Sequence, residues 1–150
     1  MKLFLDTANV EDIARRHTGL ISGVTTNPTL IKKTGREPDH VYDEIFDLGV
    51  QDLSIEVKGD YFDELICNGL EVNKKYGNKA TIKLPCTVEG IKACKKLSIL
   101  GHKTNMTLVF SVSQAILCAL AGATYVSPFV GRLDQIGENG IDLIRDISRV

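Results

Sequence analysis

The feature that most constrains the fold is an alternation repeated along the whole chain. Short runs rich in β-branched residues are each followed by a stretch with apolar residues at helical spacing. Parallel strands joined by crossover helices produce this order, so the class is α/β. Strands are expected over Lys2 to Asp6, Leu20 to Thr25, Leu53 to Val57, Ala80 to Leu84, Thr104 to Phe110 and Tyr125 to Val130. Between them, Asn9, Asp60 and Thr87 are candidate helix caps, and Gly19, Gly49, Gly101 and Gly122 are candidate stops. Val41, Ile45 and Leu48 mark one helical face, and Val112, Ala115, Ile116, Ala119 and Leu120 another.

Six βα units fit either an open doubly wound sheet or part of an eight-unit barrel. No GxGxxG follows the first strand, so a dinucleotide-binding sheet loses its best marker. The expectation is a TIM (β/α)8 barrel of which residues 1–150 form roughly the first six units, as a single domain. Eight units need at least ~200 residues. A six-strand portion leaves its first and last strands as unpaired edges, which invite aggregation or pairing with another chain, and a homo-oligomer is expected. Three states fit this shortfall: a fragment of a longer enzyme, a complete product that builds a composite barrel, or a non-catalytic partial barrel serving as an interaction module.

Composition narrows the partners. Of 150 residues 43% are hydrophobic and 25% charged, enough for a sizeable core, and the formal net charge is -1 with Lys and Arg scattered singly. That distribution offers no footprint for nucleic acid or an anionic membrane, so a small-molecule partner is expected. No segment approaches a transmembrane span, and the N-terminal apolar run is too short for a signal peptide. Cys67, Cys86, Cys94 and Cys118 form no CxxC pair and lie in apolar or mixed stretches, which reads as reduced core thiols in a cytoplasmic protein. His17, His40 and His102 are isolated singles, and no metal or cofactor is expected.

Each strand carries an out-of-place polar group at or near its C-terminal end: Asp6, Asn27, Glu56, Lys83, Asn105 with Thr107, and Ser127 ahead of Arg132. In a parallel barrel the C-terminal mouth is where catalytic groups collect, so these residues would converge on one pocket. Lys83 lies in Thr81-Ile82-Lys83-Leu84-Pro85. Burial disfavours an ammonium, and a neutral amine is a nucleophile toward carbonyls. The competing reading is an edge-strand lysine that blocks aggregation. Glu56 stands between Ile55 and Val57, where a carboxylate must be paired, hydrated in a pocket or turned to solvent. Asp6 suits proton transfer during carbon–carbon cleavage, or else a turn. Asn27 and Asn105 suit recognition of a polyol, or else a turn and a bridging core amide. Arg132 follows Val130-Gly131 and can grip a phosphate, although a surface arginine has the same signature.

Four segments in order, Phe4-Leu5-Asp6-Thr7-Ala8, Gly23-Val24-Thr25-Thr26-Asn27-Pro28, Ile82-Lys83-Leu84-Pro85 and Ser127-Pro128-Phe129-Val130-Gly131-Arg132, resemble those of the small transaldolases and fructose-6-phosphate aldolases. The resemblance runs from Met1 to about Asp146. It implies a (β/α)8 barrel and a metal-free class I aldolase in which Lys83 forms a Schiff base. It further implies proton transfer by Asp6, a water-positioning pair of Glu56 and Thr107, and a three-carbon donor held by Asn27, Asn105 and Ser127. Arg132 becomes a phosphate ligand. The aldolases of the family resemble Gln and Tyr where this chain has Glu56 and Phe129, and both departures favour transaldolase.

The implied reaction moves a dihydroxyacetone unit from fructose 6-phosphate or sedoheptulose 7-phosphate to erythrose 4-phosphate or glyceraldehyde 3-phosphate, in the pentose phosphate pathway. A fructose-6-phosphate aldolase is the alternative. A deoxyribose phosphate aldolase also uses a barrel lysine, but would not need the Asn27 and Phe129 motifs.

Overall fold

In the computed structural model, which describes residues 2–150, six strands form one parallel sheet in the order β1 to β6. They are β1 (Phe4–Asp6), β2 (Gly23–Thr25), β3 (Leu53–Glu56), β4 (Ala80–Pro85), β5 (Thr104–Val109) and β6 (Tyr125–Pro128). The helices are α1 (Val10–Arg16), α2 (Pro28–Lys33), α3 (Pro38–Asp47), α4 (Phe62–Tyr76), α5 (Val88–Ile99), α6 (Val112–Leu120), α7 (Val130–Gln135) and α8 (Gly140–Ile147). Neighbouring strands are consecutive in sequence, as repeated βα units of one hand require, and the sheet curls into an incomplete barrel. The curl brings side chains of the two edge strands together: the Phe4 and Tyr125 rings meet edge to face at 5.2 Å.

The side chains explain the elements. Asn9 caps α1 by accepting from the Asp12 amide at 3.1 Å, Thr87 caps α5 by accepting from Gly90 at 3.0 Å, and Ser111 caps α6 by accepting from Gln114 at 3.2 Å. Two apolar clusters lie between sheet and helices. One joins Ile13, Val24, Val41, Ile45, Leu53 and Ile55, and the other joins Leu65, Ile82, Leu84, Leu97, Met106 and Val109. Val72 of α4 packs against both. Burying each such side chain contributes roughly 1.5–3 kcal/mol.

The strands are shorter at several ends than the sequence suggests: Lys2, Leu20 and Phe110 fall outside the ladder. Two helices were not foreseen. Pro28 ends β2 as expected, but it also opens α2, because a proline at a first helical turn forfeits no bond and Asn27 supplies the cap. Val130, expected in β6, starts α7 instead. Tyr61, not Asp60, is the residue before α4; Glu64 reaches back to accept from the amides of both. Cys67 is exposed on α4, off the stripe of Leu65 and Gly69, so the expectation of four core cysteines fails there. No helix among the described residues is long and apolar enough to cross a membrane.

Candidate active site

Strand register builds the site. Glu56 of β3 lies beside Lys83 of β4, and Lys83 beside Asn105 of β5, so three polar residues form a row across the sheet. Thr107 stands two residues further along β5, opposite Pro85. Alternation turns this set inward, while Ile82, Leu84 and Met106 join the core under the helices.

Lys83 is 5% exposed, which removes the edge-strand reading. Its ammonium donates to the Thr26 carbonyl at 2.8 Å and lies 3.2 Å from Glu56 Oε2. Thr26 is held in turn: its amide and its hydroxyl both donate to the Ser54 carbonyl, at 3.1 and 2.8 Å. The nitrogen is thus fixed on the floor of a cleft of about 660 Å³. Asp6, Asn27, Thr107, Ser127, Phe129 and Arg132 line that cleft with Lys83.

The remaining expected residues occupy distinct surroundings. Asp6 accepts from the Thr25 hydroxyl at 2.9 Å and is exposed. Asn105, 2% exposed, donates to Ser54 Oγ at 3.1 Å and accepts from the Ser127 hydroxyl at 2.8 Å, so it bridges β3 to β6 inside the barrel. Asn27 spends its carbonyl oxygen on the Leu30 amide at 2.9 Å. Phe129 packs edge to face on Phe110 at 5.4 Å and gives the cleft an apolar wall. Arg132 is exposed on α7 and donates to Gln135 at 3.3 Å. Neither Glu56 nor Asn105 lines this cleft itself: Glu56 borders a separate groove between α2, α3 and α4, and Asn105 a small cavity with Phe4, Tyr125 and Ser127.

Thr107 is the most telling of the set. It is 1% exposed and lines the cleft, and its hydroxyl is buried without a hydrogen-bond partner. A protein avoids such a group unless something else uses it, since an unsatisfied buried hydroxyl costs about 1–3 kcal/mol.

Three contributors were missed. The Thr26 carbonyl holds Lys83, but a backbone oxygen leaves no mark in a sequence. Ser54 and Gln135 are ordinary polar residues whose roles depend on neighbours in other strands or turns. Ser54 had one signal: it is a polar residue two places before Glu56, on the same face of a short strand.

The chain matches the family model described as Transaldolase/Fructose-6-phosphate aldolase over residues 3–150. A probable transaldolase of Lachnoclostridium phytofermentans is 54% identical over 153 residues, spanning all of this chain and 70% of that protein. Another from Agathobacter rectalis is 53% identical over 153 residues with the same coverage. A third, from Lactiplantibacillus plantarum, is 50% identical over 151 residues, spanning all of this chain and 69% of that protein. Among solved structures, the carboxyl transferase domain of Rhizobium etli pyruvate carboxylase superposes with a TM-score of 0.51 at 14% identity, over 98% of this chain and 33% of that one; this likeness concerns the fold alone. The match over nearly every residue, together with relatives at half identity, makes this chain a member of the transaldolase/fructose-6-phosphate aldolase family.

Proposed function

We propose that the chain carries transaldolase chemistry, moving a three-carbon dihydroxyacetone unit between sugar phosphates through a Schiff base at Lys83. The observation that supports this most is the buried Lys83 nitrogen 3.2 Å from Glu56, on the floor of a cleft also lined by Thr107, whose hydroxyl has no partner.

Glu56 accepts a proton from the ammonium, and the neutral amine attacks the ketone carbon of a donor such as fructose 6-phosphate. The resulting carbinolamine loses water to give the protonated imine. Glu56 and Thr107 position that water as it leaves and, in the reverse step, as it attacks. Asp6 takes the proton of the hydroxyl next to the scissile bond; the bond breaks and its electron pair flows into the imine. The aldose phosphate departs, an acceptor such as erythrose 4-phosphate or glyceraldehyde 3-phosphate takes its place, and the same steps run backwards. Asn27, Asn105 and Ser127 hold the three-carbon unit, and Arg132 grips the phosphate. This is the exchange of the non-oxidative pentose phosphate pathway.

Release without transfer, the aldolase reaction, is the second reading. Phe129 favours transfer, because an apolar ring beside the bound intermediate has no hydroxyl with which to order a water.

Borohydride reduction with fructose 6-phosphate tests the proposal. A stable adduct on the peptide carrying Lys83 is expected, and Lys83→Met should abolish it. Adduct on another lysine, or none, would sink the assignment. Products formed with and without an aldose phosphate acceptor then separate transfer from cleavage.

A further inference from the structure

The only non-glycine residue with positive φ among the described residues is Leu108, at +60°. It lies next to Thr107 in β5, where a branched or bulky side chain rarely adopts the left-handed region.

The ladder explains the position. Met106 pairs with Val126 of β6, and the next pair is Val109 with Pro128, so β5 advances three residues while β6 advances two. One extra residue is inserted, opposite Ser127, and this is a β-bulge. The opposite side of β5 stays regular as far as Thr107, which pairs with Pro85 and whose backbone carbonyl accepts from the Cys86 amide at 2.8 Å.

The extra residue resets the alternation. In an unbroken strand Thr107 and Val109 would face the same side. Here Thr107 lines the cleft while Val109 is wholly buried with Met106 in the outer core. The Leu108 side chain points to neither and is 38% exposed. Beyond the bulge, the Val109 carbonyl accepts from the Phe129 amide at 2.9 Å, which ties down the residue that walls the cleft and leads into α7 with Arg132.

We propose that Leu108 is a positioning residue: its left-handed backbone, not its side chain, lets Thr107 stay in the cleft while Val109 returns to the outer core, and fixes the end of β6 that carries Ser127 and Phe129. The inference rests on the role given above to Thr107.

Four variants separate backbone from side chain. Glycine and asparagine accept the left-handed region readily, alanine less so and valine least. Leu108→Gly and Leu108→Ala both remove the side chain and differ by one carbon, so they decide the matter even if Leu108→Val does not fold.

With erythrose 4-phosphate and fructose 6-phosphate, Leu108→Gly and Leu108→Asn should keep kcat within about threefold of the parent, whereas Leu108→Ala falls clearly below glycine and Leu108→Val loses about tenfold to a hundredfold, the scale of a displaced proton-handling group. KM should change little in the glycine and asparagine variants and rise in the alanine and valine variants, because the end of β6 that carries Ser127 and leads to Arg132 loosens with the bulge. A second readout needs no turnover: hydrogen exchange at the Phe129 amide should stay slow in the glycine variant and speed up about tenfold or more in the alanine and valine variants, as its bond to Val109 is lost.

Equal exchange and equal kcat in the glycine and alanine variants would overturn the inference, as would a glycine variant as impaired as valine. If the parent chain forms no borohydride adduct, that result counts against the proposed reaction, and the exchange comparison still decides the bulge.

Discussion

At the scale of single residues, Thr107 separates function from stability. Its hydroxyl has no partner in the fold, so Thr107→Val keeps the shape and removes a buried polar group. The melting temperature of this variant should hold or rise, corresponding to up to about 1 kcal/mol, while turnover drops about tenfold or more. A hydroxyl that served only packing would give the opposite pairing. Glu56→Gln keeps the volume beside Lys83 but removes the carboxylate; turnover should fall about a hundredfold and borohydride trapping should slow in proportion. The cysteines offer a chemical check on burial. Burial, then the neighbouring Cys86, pushes the Cys118 thiol up to about 12, which keeps it protonated at pH 8. Cys67 is exposed, so iodoacetamide at pH 8 should label Cys67 on the native protein and spare Cys118 until denaturant is added.

At the scale of elements, close approach of helix to strand is the feature to probe. A Cβ on Gly90 of α5 would stand 1.9 Å from the Pro85 carbonyl oxygen, so Gly90→Ala must push α5 off the end of β4. The expected loss is about 1–3 kcal/mol by denaturant titration, with reduced adduct formation at Lys83, two residues from Pro85. The same scale explains what the sequence made legible. Alternation of apolar runs with amphipathic stretches was enough for the six strands and their parallel order, since each unit carries its own local signal. Polar residues at strand ends singled out Lys83, Glu56, Thr107, Asn105 and Ser127 as candidates, because a polar group in an apolar run stands out, and the fold brings Glu56 to Lys83 and Ser127 to Asn105. The helix α2 was hidden because proline at the end of a strand and proline at the start of a helix read alike. The bulge at Leu108 was hidden because leucine is not a residue whose presence signals a left-handed backbone. The surface onto which Glu56 opens depends on how α3 and α4 diverge over β3, a relation between elements distant in sequence.

At the scale of the whole molecule, the end of the barrel away from Lys83 is held by a polar hub. Asp52, 7% exposed, accepts from the Thr81 hydroxyl at 2.6 Å and the Tyr125 hydroxyl at 2.9 Å, and pairs with Lys103 at 3.0 Å. Lys2 donates to the same Tyr125 oxygen at 3.0 Å, so one cluster links the beginning of the chain to β4 and β6. Removing the carboxylate with Asp52→Ala strands these partners and should cost about 3–5 kcal/mol, whereas Tyr125→Phe loses the bond to Asp52 and the exposed one from Lys2 and should cost about 1–2 kcal/mol. Neither change touches the cleft, so adduct formation per folded molecule should persist in both, as measured by intact mass after borohydride treatment.

The two apolar clusters divide this molecule along an oblique line through β3 and β4. Leu53, Ile55 and Ala80 pack with the first half, and Val57, Ile82 and Leu84 with the second. Glu56 and Lys83 face each other across that boundary. Ile55 beside Glu56 belongs to one cluster, and Ile82 and Leu84 beside Lys83 to the other, so the gap between the proposed base and nucleophile is set by two separately packed groups of side chains.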